Sequence, residues 1–316
     1  MNLTKTGIIA LTVALAITTA GCNRGTGGES AGGGAASGKS MTLALSTLNN
    51  PFFIDVRDGA QDAAKAAGVN LSVVDAQNDP ATQANQIADA VTKSPAAVLI
   101  NPVDSDAAGA AVKPALAAKI PVVALDRAVN GADVTSSVSS DNVDGGRQAA
   151  KALAEAIGGK GDILILEGVP GTSASRDRSQ GFSEGLKVFP GLKVVGKQPA
   201  DFDRTKGLNV ATNLLQSHPG VVAIFAENDE MALGAVQALG NRAGQQVKVF
   251  GFDGTQDGLK AVKAGTMVGS IAQQPKDLGK TAVEIAIKAV NGDSVEKNVP
   301  VPVTTVTIAN VDQFLK

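Results

Sequence analysis

The chain contains no tryptophan and no tyrosine, and nine phenylalanines are its only aromatic rings among 316 residues. Any task that needs a flat apolar surface therefore falls to one of nine positions. One histidine and one cysteine leave too few donors for a zinc, haem or iron–sulfur centre, and a single thiol excludes a disulfide within the chain. Neither sign of charge dominates. The 28 Lys plus Arg stand against 30 Asp plus Glu, a formal net charge of −2, which removes the phosphate-neutralising attraction behind non-specific nucleic-acid binding. Apolar residues are plentiful, at 44%, enough for a sizeable core. The length suggests two domains at about 150 residues each.

The N-terminus reads as an address. Lys5 precedes an apolar run from Ile8 to Ile17, too short to span a membrane as a helix but suited to the core of a signal peptide. The run closes with Thr19-Ala20-Gly21-Cys22, which resembles a bacterial lipobox with Thr where Leu is usual. Residues 1–21 are then an export signal, and a lipidated Cys22 would hold the protein on a membrane surface facing the periplasm or the cell exterior. Residues 22–40 form a Gly/Ser-rich tether whose composition cannot offset ordering entropy. Within it, Gly33 to Ser40 (GGAASGKS) satisfies the phosphate-loop pattern. That motif needs a buried strand before it and a helix after it, whereas no strand precedes this one and Met41 to Ser46 reads as a strand. Nucleotide binding at this string is rejected.

From Met41 onward, short apolar runs alternate with segments of helical period. Nine strands are expected: Thr42 to Leu45, Leu71 to Val74, Ala97 to Ile100, Val122 to Leu125, Ile163 to Leu166, Val194 to Gly196, Val221 to Phe225, Val247 to Phe250 and Val268 to Ile271. All read as apolar throughout, as strands covered on both faces should. Amphipathic helices lie between them. One groups Phe53, Val56, Ala60, Ala63, Ala64 and Ala67 and stops at Gly68; the last begins near Pro275 and ends at Asn291-Gly292. The rhythm predicts an α/β fold, doubly wound parallel sheets covered by helices, divided between two lobes.

Ligands of open parallel sheets bind outside the carboxyl ends of the strands. Those ends carry Asn50, Phe52 and Phe53; Asn101; Asp126 and Arg127; Arg176 and Arg178; Asn228 and Asp229; Asp253; and Gln273. Taken singly, an Asn, Asp or Ser here reads as a helix cap or turn residue. The arginines demand more, because their forks need planar acceptors or water. Two Asp and two Arg in one cleft would sum to zero charge and suit a neutral ligand. Asn, Asp, Arg and Gln can each grip two adjacent polar atoms, the pattern of vicinal hydroxyls, and Phe52-Phe53 supplies rings for a sugar's apolar faces. No nucleophile–base pair is evident. Arg127 beside Asp126 is expected to keep that carboxylate ionised. His218, in Ser217-His218-Pro219-Gly220, is expected in a solvent-facing turn.

The segments STLNNPFF (46–53), INPVDSDA (100–107), LDR (125–127), GTSASRDRSQGF (171–182), QPADFDRTKGLNV (198–210), NDEMALGA (228–235), GFDGT (251–255) and IAQQP (271–275) resemble the D-ribose-binding proteins of bacterial ABC importers, from about Met41 to Val301. The resemblance implies a type I periplasmic binding protein fold, two doubly wound parallel-sheet lobes joined by a three-strand hinge. The N-terminal lobe would comprise 41–140 plus 274–301 and the C-terminal lobe 141–273 plus 302–316. It implies a sugar held between Phe52, Phe53 and Phe202, with polar contacts from Asn50, Asn101, Asp126, Arg127, Arg178, Asn228, Asp253 and Gln273. All eleven positions carry the family's residue type. The departures are the Cys22 anchor with its long tether and a longer C-terminal stretch, Pro302 to Lys316.

The implied function is non-enzymatic: a monomer without cofactor or metal that captures D-ribose between closing lobes and delivers it to a membrane permease with its ATPase subunits. A chemoreceptor is a further candidate partner. The alternatives are another monosaccharide or a furanose signal, such as allose, and a secreted sugar-acting enzyme using Asp126 and Asp253. A sugar-responsive repressor would begin with a basic helix-turn-helix rather than an export signal.

Overall fold

The computed structural model describes residues 40–316. The expected signal segment, Cys22 and the tether as far as Lys39 lie outside the described residues. Ser40, the last residue of the phosphate-loop-like string, opens a strand, where that motif would require a helix.

The chain lays down β1 (Ser40–Leu45), α1 (Pro51–Ala66), β2 (Asn70–Asp75), α2 (Pro80–Thr92), β3 (Ala97–Ile100), α3 (Ala107–Ala117), β4 (Val122–Leu125) and β5 (Ser136–Ser140). It continues through α4 (Asn142–Ala156), β6 (Lys160–Glu167), α5 (Ser173–Leu186), β7 (Gly191–Pro199), α6 (Arg204–Ser217), β8 (Ala223–Ala226), α7 (Asp229–Leu239), β9 (Lys248–Asp253), α8 (Gln256–Lys263) and β10 (Gly269–Ala272). It ends with α9 (Pro275–Asn291), β11 (Asn298–Val301) and β12 (Thr304–Thr307). The strands form two six-stranded sheets, ordered β11-β5-β4-β3-β1-β2 and β12-β10-β9-β8-β6-β7. Every pairing is parallel except β10 with β12. These are two α/β lobes, each with a parallel-sheet core.

Burial explains which strands the hydrophobic pattern reveals. AVLI, VVAL and AIFA in β3, β4 and β8 are buried at every position, so no alternation survives in them. The expectation of doubly covered strands fails at β7, an outer strand of its sheet whose Val194 is 41% exposed. Three strands carry no apolar run at all: β5 is SSVSS, β11 is NVPV and β12 is TTVT. They form through ladder bonds with β4, β5 and β10 respectively, and the Ser136 hydroxyl adds a bond to the Glu296 carbonyl at 2.7 Å.

The backbone passes between the sheets at three places: after β5, between β10 and α9, and between β11 and β12. The connectors are bonded to one another. The Asp141 N–H donates to the Val301 carbonyl at 3.1 Å, and the Gln274 side-chain amide donates to the Pro302 carbonyl at 2.9 Å. Beyond its connector, α9 returns to the first lobe, where Leu278, Ala282, Val283 and Ala286 pack with Val56, Ala60 and Ala64 of α1. Two glycines permit that approach. A Cβ on Gly59 would run into the Lys276 carbonyl, and one on Gly279 into the Val56 carbonyl. Neither obstacle is a movable side chain. Gly279→Val is therefore expected to destabilise the fold by about 1–3 kcal/mol, read as a lower midpoint in urea unfolding; an unchanged midpoint would show that the helices can separate at no cost.

Candidate functional site

Six strand ends and the first two turns of α5 converge on one pocket between the lobes. Its walls are Asn50, Phe52 and Phe53 after β1, Asp126 and Arg127 after β4, Ala174 and Arg178 on α5, Phe202 after β7, Asn228 after β8, Asp253 at the end of β9 and Gln273 after β10. Ten of the eleven residues named from the sequence meet here. Asn101 stands behind them: its Nδ2 donates to Asp126 Oδ2 at 2.9 Å while its Oδ1 accepts from the Ser46 N–H at 3.2 Å. Ala174, on the pocket wall, went unnamed because a methyl side chain carries no signal of its own.

Two wall residues serve a local role as well. Asn50 and Asn228 are the N-caps of α1 and α7, accepting from the Phe52 and Met231 N–H groups at 2.9 Å each. A cap takes up only the side-chain oxygen. The Asn228 amide nitrogen turns instead to the Phe202 carbonyl at 3.2 Å. The alternative between cap and contact residue posed by the sequence is thus no alternative for an amide with two ends.

The charged groups are held by the backbone as much as by each other. Arg127 Nη1 donates to the Pro102 carbonyl at 2.8 Å, and its Nε lies 3.6 Å from Asp126 Oδ2, too long for a hydrogen bond. Arg178 Nε donates to Asn142 Oδ1 at 2.9 Å and Nη1 to the Glu227 carbonyl at 2.6 Å, with Asp253 Oδ1 at 3.5 Å. Gln273 Nε2 donates to the same Asp253 oxygen at 2.7 Å. Rings face the cations. The Arg127 guanidinium carbon lies 5.3 Å from the Phe53 ring centre and 5.5 Å from that of Phe202, and Arg178 rests 3.8 Å over Phe252. Phe52 and Phe53 meet edge to face at 5.2 Å and 82°.

Three buried polar atoms on these walls have no hydrogen-bond partner: Asp126 Oδ1, Arg127 Nε and Gln273 Oε1. Such atoms cost about 1–3 kcal/mol each when left unpaired. Backbone strain gathers at the same place, since Asp126, Phe202 and Asp253 are non-glycine residues with φ of 63°, 57° and 116°, which the surrounding structure must enforce. The space left among these walls is about 20 Å³, room for one or two waters at about 10–15 Å³ each, so a larger ligand requires the walls to separate. A larger groove of about 400 Å³ shares Phe52, Asp253 and Gln273 as walls, but Asp126 does not reach it.

Titration follows burial here. The Asp126 carboxyl is pushed up by desolvation, against which Arg127 and Arg178 act only in part. This corrects the expectation that its arginine neighbour keeps Asp126 in the ordinary range. Asp253 is raised well above that range by burial, opposed by Arg178 and reinforced by Asp229. Arg127 is itself lowered to about 10 by burial. The argument from charge state against an acid–base pair therefore lapses. His218 is the C-cap of α6, half-buried rather than solvent-facing, and does not line the pocket. Among the described residues no group of three or more His, Cys, Asp or Glu is placed to hold a metal.

Residues 41–294 match the family model described as periplasmic binding protein domain. The chain belongs to that family. This periplasmic binding protein is 49% identical over 261 residues to the ribose import binding protein RbsB of Salmonella typhimurium, covering 83% of this chain and 88% of the relative. It is 45% identical over 260 residues to the protein of that name from Bacillus subtilis, covering 82% and 84%. Among solved structures it matches an ABC transporter periplasmic solute-binding protein of Actinobacillus succinogenes with bound D-allose, at a TM-score of 0.82 and 34% identity, over 87% of this chain and 99% of the other. These relatives are named for binding and import, not for turnover.

Behind the pocket, at the strand end that the sequence reads as Glu227-Asn228-Asp229, lies Glu227. It is fully buried and accepts from the Ser175 and Ser179 hydroxyls at 2.5 Å each and from the Gly168 N–H at 2.7 Å. Burial nevertheless pushes its carboxyl from 4.5 to about 7. The folded protein then binds more protons than the unfolded chain between those two values, so this group's contribution to stability is present below about 4.5 and lost as pH rises to about 7. Glu227→Gln should remove that slope. In urea titrations the wild type is expected to lose stability relative to the variant across this interval; a constant difference between the two would reject the assignment.

Proposed function

We propose that this periplasmic binding protein captures D-ribose between its lobes and hands it to the permease and ATPase subunits of a bacterial ABC importer. The observation that carries the reading is the trio of unpaired buried atoms, Asp126 Oδ1, Arg127 Nε and Gln273 Oε1, inside a pocket walled by Phe52, Phe53 and Phe202. A carboxylate oxygen and an amide oxygen wait for donors, and a guanidinium N–H waits for an acceptor. Sugar hydroxyls are both, and the ring faces of a pyranose or furanose fit phenyl walls. Asn50, Phe52, Phe53, Asn101, Asp126 and Arg127 act from the first lobe, and Arg178, Phe202, Asn228 and Asp253 from the second, so the full contact set exists only in the closed form. Ligand then shifts the population toward closure, and the permease reads the closed face. Hydroxyls donating to Asp126 and Asp253 stabilise their charged forms and offset the effect of burial.

The lobes in this reading are 41–140 with 274–301 and 141–273 with 302–316. The signal segment 1–21 directs export, and acyl chains on Cys22 hold the protein at the membrane through the tether 22–40. The 49% identity to a ribose import binding protein favours ribose. The second reading, allose or a related monosaccharide, is supported by the D-allose bound in the similar structure at 34% identity.

A thermal-shift panel of pentoses and hexoses tests the reading directly, since a ligand that binds only the folded form raises its melting point; D-ribose should give the largest shift. Charged hydrogen bonds contribute about 1.5–3 kcal/mol each. Arg127→Ala and Asp253→Ala are therefore expected to raise the ribose Kd at least tenfold in calorimetry, and unchanged affinity in both would remove these residues from the site. For the anchor, a Cys22→Ser protein should leave the membrane fraction on cell fractionation; one that stays bound would sink the lipid assignment.

A further inference from the structure

The lobes also touch where no ligand is involved. Ser105, in the loop after β3, donates its N–H to the Gly171 carbonyl at 3.1 Å. Its hydroxyl accepts from the Ser173 N–H at 3.0 Å. The Ser173 hydroxyl in turn accepts from the Ala128 N–H at 2.8 Å. Three hydrogen bonds thus join the loops after β3 and β4 of the first sheet to the loop between β6 and α5 of the second. Ser105 is 0% and Ser173 8% exposed, and neither they nor Ala128 line the pocket. The seam is shaped for close approach. Gly171 has φ of +90°, and any Cβ there would collide with the carboxylate of Asp104 from the opposite lobe. Each half is braced from its own side: the Asn130 N–H donates to the Ser105 carbonyl at 2.7 Å, and the Thr172 hydroxyl to the Val169 carbonyl at 2.8 Å. Arg176 and Asp106 add an exposed ion pair at 4.0 Å, worth little in water.

We propose that Ser105 and Ser173 form a latch whose hydrogen bonds exist only in the closed form, so that they set how tightly the cleft holds any sugar without taking part in choosing which sugar. This rests on the reading of the cleft as a monosaccharide site. Strand order makes the latch sensitive to closure. β3 is three strands in from β11, and β6 four strands in from β12, where the chain crosses between lobes. At about 4.8 Å per strand, the latch stands some 14–19 Å from the hinge edge. An opening of about 0.1 radian moves its partners apart by more than 1 Å, past the limit of a hydrogen bond. In the open form water satisfies the same N–H groups. The latch therefore weights the closed state while leaving the pocket's contacts alone.

Ser105→Ala and Ser173→Ala, one in each lobe, test this by calorimetry and stopped-flow release with D-ribose and a second monosaccharide that binds. Each variant should raise Kd about fivefold, the value of one net hydrogen bond, by the same factor for both sugars and chiefly through faster release. Thermal midpoints of the unliganded variants within a few degrees of wild type establish that each lobe folds. Unchanged Kd in both variants would overturn the latch, and so would a factor that differs between the sugars, because the serines would then be reading the ligand. If the wild type itself binds no monosaccharide, the function reading fails instead, so the two failures are distinct.

Discussion

Two aspartates and two arginines lie between the lobes at 5% exposure or less, and the cost of keeping them there organises the molecule. Charges removed from water need both partners and hydrogen bonds. The structure meets part of that demand with the backbone, through the Pro102 and Glu227 carbonyls that receive Arg127 and Arg178. It meets a further part with amides, through Asn101 and Asn142. Among the pocket walls, what remains unmet is Asp126 Oδ1, Arg127 Nε and Gln273 Oε1. A neutral, many-hydroxyl molecule would complete that set without adding charge.

The same demand explains why so many supporting residues sit behind the pocket. Arg178 is fixed from four directions, by Asn142, Glu227, Asp253 and the face of Phe252. Glu227 in turn pins Ser175 and Ser179 of α5 to the end of β8, so the helix that carries Arg178 cannot slide relative to Asn228. Asp229, raised to about 6 by burial, bonds Ser270 and Thr255 and so ties α7 to β10 and the start of α8. The second lobe is thus a set of strand ends cross-braced by buried carboxylates, on which the pocket residues stand.

Much of this was legible in the sequence, for definable reasons. Strands such as AVLI and AIFA announce themselves because both faces are buried, and reading the residue after each strand finds Asp126, Asn228 and Asp253 because parallel sheets place ligands there. The serine-rich β5 was not legible, since its stability comes from its neighbours in the ladder rather than from its side chains. Nor could Asn142, 36 residues from Arg178, be read as its partner, because only the close packing of α4 on α5 within the second lobe, at Gly146 and Gly181, brings the two together. The direction of the Asp126 shift was misread for a related reason. Adjacency to Arg127 is visible in the sequence, whereas the depth of burial that outweighs it is a property of both lobes together.

The connectors between lobes carry one more consequence. Each alone is a few residues of chain with freedom to bend and to twist. Bonded to one another through Asp141 with Val301 and through Gln274 with Pro302, they are tied into one laced ribbon. Displacing one connector without the others would break a hydrogen bond and strand a backbone carbonyl, so the three strands resist being bent one at a time.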